Sequence, residues 1–333
     1  MSSRTVLVTG ASGFLGSHVV RAALKRGFRV RAFVRPKSSL KNLEGLPIEF
    51  CTGDIQSQAD LTKAVTGCSW IFHLAADYRF TSLEGEQVLK TNIDGTRRVL
   101  EVAEKAGIER MVYTSSTATI GLPINGNPAD EKTPLQQKDL VGPYKRSKYY
   151  AELEVKKGVE RGIPVVIVNP SAPVGTHDGK PTPTGRFIVD FLNRKLFAYT
   201  DTGLNIVDAE DVAEGHFLAA EKGKIGERYI LGNQNLSFKE ILEILSKITN
   251  IPSPKVCLPH SVVLFMAHIN DIFSRNVLRR EPGIPVEGVK LSRKKMFFSA
   301  EKARRELGIP QTAVETALAK AVGWYRENGY VRQ

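Results

Sequence analysis

Short apolar runs alternate with amphipathic stretches through the first half of the chain. Residues 5–9 form an apolar, β-branched run that stops at Gly10, residues 15–26 carry apolar positions at helical spacing, and residues 28–34 alternate as a strand does. The same criteria predict strands over 69–74, 108–114 and 164–169, and helices over 58–67, 86–106 and 143–161. Strands that alternate with helices indicate βαβ units, and right-handed crossovers make the resulting parallel sheet doubly wound.

This alternation ends near residue 170, where prolines and glycines become frequent. The later segments are predicted as a strand over 204–207 and helices over 185–194, 209–222, 237–249, 260–278 and 300–307. We therefore predict an α/β fold, with a Rossmann-type doubly wound parallel sheet over residues 1–170. Residues 171–333 are predicted to form a smaller, mainly substrate-binding region, some segments of which return to the first domain.

The composition fits a globular protein with a sizeable core. The chain has 333 residues, 42% of them hydrophobic, which is ample for one large domain or two smaller ones. It contains no apolar run of about 18 residues or more and no signal-peptide pattern. Three cysteines without metal-ligand spacing fit reduced thiols. We expect a cytoplasmic protein without a bound metal.

The net charge of +12 is the one unusual feature of the composition. Such a charge is compatible with an anionic ligand, a membrane surface or nucleic acid. No nucleic-acid motif accompanies it, so we expect a solvated basic surface and no nucleic-acid partner. Lysines and arginines are densest late in the chain, over residues 279–305.

A glycine-rich turn follows the first predicted strand and opens the first predicted helix. Residues 10–16 read GASGFLG. Gly10 permits a tight turn, Gly13 lets the backbone approach a pyrophosphate, and Gly16 allows close packing of helix on sheet. The N-terminus of the helix supplies free N–H groups and a positive dipole end for phosphates. This context predicts a dinucleotide site rather than a tight turn without a ligand.

Two charged positions bear on the choice of cofactor: the end of the second strand, at 34–35, and Asp54, which follows a further short strand that lies before the strand at 69–74. An acidic residue at the end of the second strand favours NAD, whereas this chain has Arg35, with Arg31, Lys37 and Lys41 nearby. A guanidinium pairs bidentately with a 2′-phosphate, so NADP(H) is the preferred cofactor and NAD(H) the alternative. The alternative is that Arg35 is a solvated charge on a loop and does not contact the cofactor. Asp54 is suited to accept from an adenine amino group, or to serve as a turn or N-cap aspartate.

In the segment YKRSK a phenol and an ammonium lie four residues apart, which is the spacing of one helical turn. Tyr144 and Lys148 share one face of the predicted helix. A free tyrosine has a pKa near ~10, and a nearby lysine cation lowers that pKa by stabilising the phenolate. Tyr144 is then suited to exchange a proton with an alcohol or carbonyl while a hydride moves. The predicted strand before it ends in a run of hydroxyls, Thr114 to Thr117, and one of them is placed to polarise a substrate oxygen.

Taken together, these segments resemble an extended (atypical) short-chain dehydrogenase/reductase of the NAD-dependent epimerase/dehydratase superfamily. The matching motifs occur in that family's order over essentially the whole chain: VTGASGFLG at 8–16, GDI at 53–55, HLAA at 73–76, NIDGT at 92–96, YTSS at 113–116, YKRSK at 144–148 and NPSAPVG at 169–175.

The resemblance implies a role for each matching residue. It assigns Ser116, Tyr144 and Lys148 as the catalytic set. The cofactor-binding residues that it implies, with the turn and strand-end residues above, are Gly10, Ser12, Gly13, Phe14, Leu15, Gly16, Arg35, Asp54, Ile55, Leu74, Ala75, Ala76, Asn92, Thr114, Tyr144, Lys148, Pro170 and Ser171. For Asn92 a structural hydrogen bond is the equal alternative, and His73 is not expected to act as an acid or base.

Two branches of this superfamily resemble the chain. The Val34-Arg35 strand end and the NPS segment resemble dihydroflavonol 4-reductase-like enzymes, and longer stretches such as GPYKRSKYYAE at 142–152 resemble the hopanoid-associated sugar epimerase group. Arg35 departs from the acidic pattern of sugar epimerases. The expected function is therefore interconversion of a carbonyl and an alcohol by hydride transfer. The alternative is a sugar or nucleotide-sugar epimerase or dehydratase linked to hopanoid or other lipid biosynthesis.

The substrate side is less specified by the sequence. Asp77, Tyr78 and Phe80 follow the strand predicted at 69–74 and are candidates to contact a small-molecule substrate, as is Arg186. For Arg186 an ordinary surface role is the equal alternative.

Residues 261–280 are strongly apolar and end in two arginines. We expect this helix to pack against the protein or a partner subunit rather than on a membrane. The resemblance further implies a homodimer formed through the helices near 86–106 and 143–161.

Overall fold

The structure is a computed structural model that describes residues 4–77, 85–122, 126–276, 289 and 294–332; for 271–276 it describes the helix but not the side chains. Within these ranges seven strands form one parallel sheet, six from the first 170 residues and one from later in the chain. They are β1 (Thr5–Thr9), β2 (Arg29–Val34), β3 (Glu49–Thr52), β4 (Trp70–His73), β5 (Arg110–Thr114), β6 (Val165–Pro170) and β10 (Arg228–Leu231). Their order across the sheet is β3-β2-β1-β4-β5-β6-β10. This confirms the predicted Rossmann-type, doubly wound α/β fold.

Helices cover both faces of this sheet. They are α1 (Phe14–Lys25), α2 (Gln58–Val65), α3 (Gly85–Ala106), α4 (Pro143–Glu160) and α6 (Ala209–Lys222). One core contains Val19 of α1 and Phe217 of α6 against Val8 and Phe72 of the sheet. The other contains side chains from α2, α3 and α4 against the opposite sheet face. Apart from the exposed edge strand β3, the strands are therefore largely buried on both sides, as continuous apolar runs in a parallel sheet require.

Most of the chain after β6 forms a second layer of shorter elements. The strands are β7 (Ala172–Val174), β8 (Ala198–Tyr199), β9 (Gly203–Asp208), β11 (Gln234–Ser237) and β12 (Val256–Cys257), and the helices are α5 (Pro183–Leu192), α7 (Phe238–Thr249), α8 (His260–Asn276) and α10 (Val314–Glu327). Helix α9 (Glu301–Leu307) instead packs Ala303 and Leu307 into the core of the large sheet. Strands β7, β9 and β11 form one small sheet, and β8 and β12 another. A third apolar core joins α5, α7 and α10 to the three-stranded sheet.

Some helix N-termini in this fold are capped by side chains, whereas others, α1 and α4 among them, have no side-chain cap. Ser57 caps α2, and Ser237 forms a capping box with Glu240 at the start of α7. Helix α1 begins after Gly13 with no side-chain cap and no acidic residue in its first turn. The first N–H groups of a helix have no intrahelical partner. Helix α1 thus presents an uncapped, positive end at the carboxyl edge of the sheet.

Candidate active site

The turn between β1 and α1 is built so tightly that two of its positions accept only glycine. Gly10 has φ +71°, and a Cβ there would lie 2.7 Å from the Ala75 nitrogen. A Cβ on Gly16 would collide with the Gly10 carbonyl oxygen. The helix therefore starts directly over the turn, and the Gly13 N–H donates to that same Gly10 oxygen at 3.0 Å.

This geometry fits the pyrophosphate of a dinucleotide. The predicted residues Ser12, Gly13, Phe14 and Leu15 lie together with the two glycines at the uncapped end of α1. A helix N-terminus without a competing carboxylate is suited to an anion, because both its N–H groups and its dipole favour negative charge. A bound phosphate would accept hydrogen bonds from the N–H groups that a side-chain cap otherwise satisfies.

Arg31 and Arg35, which the sequence analysis mentioned together, have different surroundings, because Arg31 lies within β2 and Arg35 follows its end. Arg35 is exposed immediately after β2, at the same sheet edge as the glycine turn. Arg31 lies further back in the strand, where it pairs with Glu49 at 2.8 Å and donates to the carbonyl oxygens of Ala64 and Thr66. Arg31 therefore closes the end of α2, and its guanidinium is engaged there rather than beside Arg35.

Asp54 and Ile55 follow β3 at the same edge of the sheet. The Asp54 carboxylate accepts from the Gln56 N–H at 2.8 Å, which makes an Asx-type turn, and its residue is exposed. Ile55 is buried and packs against Gly95 of α3. Asp54 thus performs the turn role that the sequence left open, while its exposed position still borders the predicted adenine site.

The end of β4 is held against β1 by a buried polar chain. The Ala75 N–H donates to Thr9 Oγ1 at 3.2 Å, and Thr9 Oγ1 lies 2.7 Å from His73 Nδ1. The other ring nitrogen of His73 lies 3.2 Å from Thr96 Oγ1. Burial, aided by the charge of Lys148, lowers the pKa of His73 to about 3. His73 is therefore neutral and holds Leu74, Ala75 and Ala76 beside the glycine turn without acting as an acid or base.

Asn92 has a structural role in this arrangement. Its side-chain oxygen accepts from the Asp77 N–H at 2.6 Å, and its side-chain nitrogen donates to the Asp77 carbonyl and to Ser147 Oγ, both at 2.8 Å. Ser147 in turn donates to the Tyr144 carbonyl at 2.8 Å. Asn92 thereby fastens the loop after β4 to the first turn of α4.

The three predicted catalytic side chains are brought together at the ends of β5 and α4. Tyr144 and Ser116 form a side-chain hydrogen bond. Lys148 is buried one helical turn after Tyr144, and its Nζ donates to the Thr114 carbonyl at 2.8 Å while lying 5.3 Å from the centre of the Tyr113 ring. The Thr114 hydroxyl lies 2.9 Å from His216 Nε2 on the buried side. A phenol, a hydroxyl and an ammonium therefore share one partly enclosed corner.

The pKa of Tyr144 moves in the direction opposite to the sequence expectation. Burial raises it, and the hydrogen bond from Ser116 opposes that rise. Lys148 lies within hydrogen-bond distance of the Thr114 carbonyl, and burial lowers its own pKa to about 8 against the opposing charge of Glu152. At neutral pH the pair is therefore a neutral phenol beside a largely protonated amine.

Glu152 is a residue of this site that the sequence analysis missed. Its buried carboxylate accepts from Ser115 Oγ at 2.5 Å and Thr119 Oγ1 at 2.8 Å, and pairs with Arg228 Nε at 3.2 Å. Asn169 Nδ2 donates to the Ser116 carbonyl at 3.0 Å and completes the cluster. A signal was present, because residues 144, 148 and 152 recur at one helix face.

The remaining predicted residues lie around the same edge. Pro170 ends β6, and Ser171 Oγ donates to Asn205 Oδ1 at 2.8 Å. Asp77 lies beside Asn92, whereas Tyr78 and Phe80 fall outside the described residues. Arg186 is exposed on the first turn of α5.

Comparisons with known proteins agree on one superfamily. The sequence profile of the NAD dependent epimerase/dehydratase family matches residues 6–232. A protein of Synechocystis sp. named "Putative dihydroflavonol 4-reductase" is 45% identical over 98% of this chain and 95% of its own length. Sterol demethylase protein B of Methylococcus capsulatus is 33% identical over 98% of this chain and all of its own length, 100%.

Two solved structures share the whole fold. The crystal structure of gox2253 has a TM-score of 0.88 and 42% identity, and covers 99% of this chain and 100% of that chain. A nucleoside-diphosphate-sugar epimerase from Pseudomonas aeruginosa has a TM-score of 0.83 and 25% identity, with 99% of each chain covered. The site geometry, the family profile and the full-length relatives agree, and the chain belongs to the NAD dependent epimerase/dehydratase family, a group of extended short-chain dehydrogenases/reductases.

Proposed function

We propose that this protein is an NAD(P)H-dependent carbonyl reductase in which Tyr144 protonates the substrate carbonyl oxygen as a hydride reaches its carbon. The observation that carries the proposal is the hydrogen-bonded pair of Tyr144 and Ser116, with Lys148 one turn further along the same helix face. When bound, the nicotinamide cofactor supplies the hydride, or accepts it in the reverse direction.

The protonation state of Tyr144 supports reduction as the working direction. Like a free tyrosine, Tyr144 is a neutral phenol at neutral pH. Burial raises its pKa, so the phenolate that would accept a proton from an alcohol is rarer than for a free tyrosine, while the phenol that donates a proton predominates. An epimerase or alcohol dehydrogenase starts by removing a proton from an alcohol, which requires a tyrosine that is readily ionised. A protonated Tyr144 instead matches a ketone or aldehyde substrate.

Ser116 and Lys148 support that proton transfer in different ways. The Ser116 hydroxyl, at the end of β5, shares its hydrogen bond with the phenol and is placed to contact the same substrate oxygen. The Lys148 ammonium stabilises the phenolate that forms when the proton leaves. Its hydrogen bond to the Thr114 carbonyl fixes it in place during this change.

For the cofactor we propose NADP(H). The exposed guanidinium of Arg35, at the end of β2, supports this choice because it is placed like the arginine that accommodates a 2′-phosphate. No carboxylate occupies that strand end.

A sugar epimerase is the second candidate, and the likeness to the nucleoside-diphosphate-sugar epimerase from Pseudomonas aeruginosa favours it. The two candidates differ in their balance of cofactor. A reductase consumes one NAD(P)H for each alcohol formed, whereas an epimerase returns its cofactor unchanged in every cycle.

The test is a screen of ketones and aldehydes with NADPH and NADH, with cofactor oxidation followed by absorbance. The reductase proposal requires that one NAD(P)H is oxidised for each alcohol formed, and that a Tyr144→Phe variant loses at least about a thousandfold in kcat. Tyr150→Phe is the matched control, because it removes an exposed phenol hydroxyl from the same helix. Full activity in Tyr144→Phe, or turnover of a sugar without net oxidation, contradicts the proposal.

A further inference from the structure

A cavity of about 190 Å³ lies beside the buried Glu152. Its wall is formed mainly by the loop 132–135, by one side of α4 between residues 149 and 156, and by Arg228 of β10. None of the described wall residues belongs to those that the sequence analysis assigned to catalysis, cofactor or substrate. Because liquid water takes about 30 Å³ per molecule, the space accommodates a small ion with a few waters.

The wall of this cavity carries more positive than negative charge. Lys132, Lys156 and Arg228 belong to it, and Glu152 is the one carboxylate among its described residues. The charge of Glu152 is already matched, since its Oε1 lies 3.2 Å from Arg228 Nε and its Oε2 accepts from the Thr119 hydroxyl. The two lysine ammonium groups therefore make the cavity positive.

Neither of these ammonium groups makes an ion pair or a hydrogen bond with the described residues. Lys132 uses its backbone N–H to bind the Asp130 carboxylate at 3.1 Å, which holds the loop and leaves the ammonium unused. On α4 the contrast is with Lys157, which pairs with Glu154 at 2.8 Å, whereas the preceding Lys156 lines the cavity. Two like charges at one cavity repel each other, and an anion between them removes that repulsion.

The Arg228 guanidinium is fixed within the wall and still has a donor to offer. Its Nη2 donates to the Thr119 carbonyl at 3.3 Å, while its buried Nε lies near Glu152 without an aligned hydrogen bond. A buried N–H of this kind is satisfied when a further acceptor binds next to it. Ammonium and guanidinium groups are the side-chain donors that bind phosphate oxygens most strongly, so the wall has the chemistry of an oxyanion site.

We propose that this cavity binds a small oxyanion of the size of inorganic phosphate, held between the Lys132 and Lys156 ammonium groups and the Arg228 guanidinium. The same charges disfavour a metal cation. This oxyanion site is separate from the Tyr144 site, and its existence does not depend on which reaction that site performs. Because Glu152 lines the cavity and also holds the end of β5, the bound anion lies directly behind the support of the catalytic set.

The test is isothermal titration calorimetry and thermal unfolding of the full-length protein with sodium phosphate. Saturating NADPH or NADH is present throughout, because free phosphate would otherwise compete for the glycine turn. Sodium chloride at the same ionic strength is the reference, since it screens charges equally. The expected result is saturable phosphate binding, with a midpoint of unfolding that rises by about 1 °C or more relative to chloride.

The variant Lys132→Gln/Lys156→Gln should lose at least about tenfold in phosphate affinity, because both ammonium groups are removed while the cavity keeps its shape. Lys247→Gln/Lys255→Gln is the matched control, since it removes two exposed lysines outside the cavity and lowers the net charge equally. The control should bind phosphate as the unmodified protein does, and melting curves without phosphate check that each variant folds.

Three results would overturn the oxyanion site. The first is that phosphate has no more effect than chloride, and the second is that the two double variants bind phosphate with equal affinity. The third is that phosphate binds only when the cofactor is left out, because the anion then occupies the glycine turn instead of this cavity.

Discussion

The Glu152 carboxylate lies 2.5 Å from the Ser115 hydroxyl, so the helix that carries Tyr144 and Lys148 is tied to the strand end that carries Ser116. The same carboxylate pairs with Arg228 of β10, at the sheet edge. The positions of Tyr144, Lys148 and Ser116 therefore all depend on the buried carboxylate of Glu152. Its negative charge also opposes the effect of burial on the pKa of Lys148.

Glu152→Gln should therefore change the pH dependence of the reaction as well as its rate. The amide keeps the size and one acceptor of the side chain but removes its charge, so the pKa of Lys148 falls further below its usual value. The alkaline limb of kcat should move to lower pH, and activity should be retained best at the acidic end. Unfolding should also become easier by about 3 kcal/mol, because Arg228 loses its buried partner.

Rate profiles from pH 5 to 10 and thermal unfolding measure both effects of Glu152→Gln. Glu152→Asp is the comparison, since it keeps the charge and should leave the alkaline limb closer to that of the unmodified protein. A loss of stability with an unchanged pH limb in Glu152→Gln would show that Glu152 supports the fold alone.

The central sheet was open to prediction because its signals are local. The predicted helices at 86–106 and 209–222 agree with α3 (Gly85–Ala106) and α6 (Ala209–Lys222) to within a residue, since each carries its own apolar period. Strand β10 and helix α10 were missed. The four residues of β10 become a strand through pairing with β6, which is distant in sequence, and such pairing leaves little trace in the strand itself.

The parts of the site that could be predicted are those in which the residue type and its place in a helix or turn determine the role. The glycines of the first turn follow from sterics, and Tyr144 and Lys148 follow from helical spacing. The raised pKa of Tyr144 and the separation of Arg31 from Arg35 depend on burial and on strand register. Arg31 pairs with Glu49 because β3 lies beside β2. The positions of basic residues in the sequence do not reveal this pairing of strands.

The rate of carbonyl reduction should fall as the pH rises through about 8. Lys148 has its pKa lowered to about 8, chiefly by burial, so its ammonium is present below that pH and lost above it. Tyr144 remains protonated over the same range because its pKa is raised, and the nearby His73 stays neutral because its pKa is about 3. The ammonium of Lys148 is thus the group whose loss sets the alkaline limb.

Steady-state kcat at saturating substrate, measured between pH 6 and 10, tests this expectation. Lys148→Arg keeps the positive charge over that whole interval, so the variant should be slower but should lose the alkaline limb. An identical limb in the arginine variant would assign the titration to another group.

Gly16→Ala should abolish tight binding of the cofactor. The added Cβ would collide with the Gly10 carbonyl oxygen, so α1 must move away from the turn that it covers. We expect at least about a tenfold loss of NADPH affinity, which is about 1.4 kcal/mol, and a lower midpoint of thermal unfolding. Fluorescence titration with NADPH and a melting curve measure the two quantities.

Gly323→Ala serves as the control for that substitution. Gly323 lies inside α10, and a Cβ there has no atom within 4 Å. Alanine should stabilise the helix by about 0.5–1 kcal/mol and leave NADPH affinity unchanged. Equal NADPH affinity in Gly16→Ala and Gly323→Ala would contradict the assignment of the glycine turn to the pyrophosphate.

Arg35→Asp should reverse the preference between the two cofactors. The exposed guanidinium at the end of β2 is replaced by a carboxylate, which repels a 2′-phosphate and accepts hydrogen bonds from free ribose hydroxyls. The ratio of kcat/KM for NADPH to that for NADH should fall by about a hundredfold or more, mainly through KM for NADPH, because charge-assisted pairs contribute about 1.5–3 kcal/mol each.

Arg326→Asp makes the same change of charge at an exposed position of α10 and should leave the ratio unchanged, which separates a local contact from the general effect of net charge on an anionic ligand. If both variants shift the ratio equally, or if neither does, Arg35 does not read the 2′-phosphate and the preference for NADP(H) loses its physical basis.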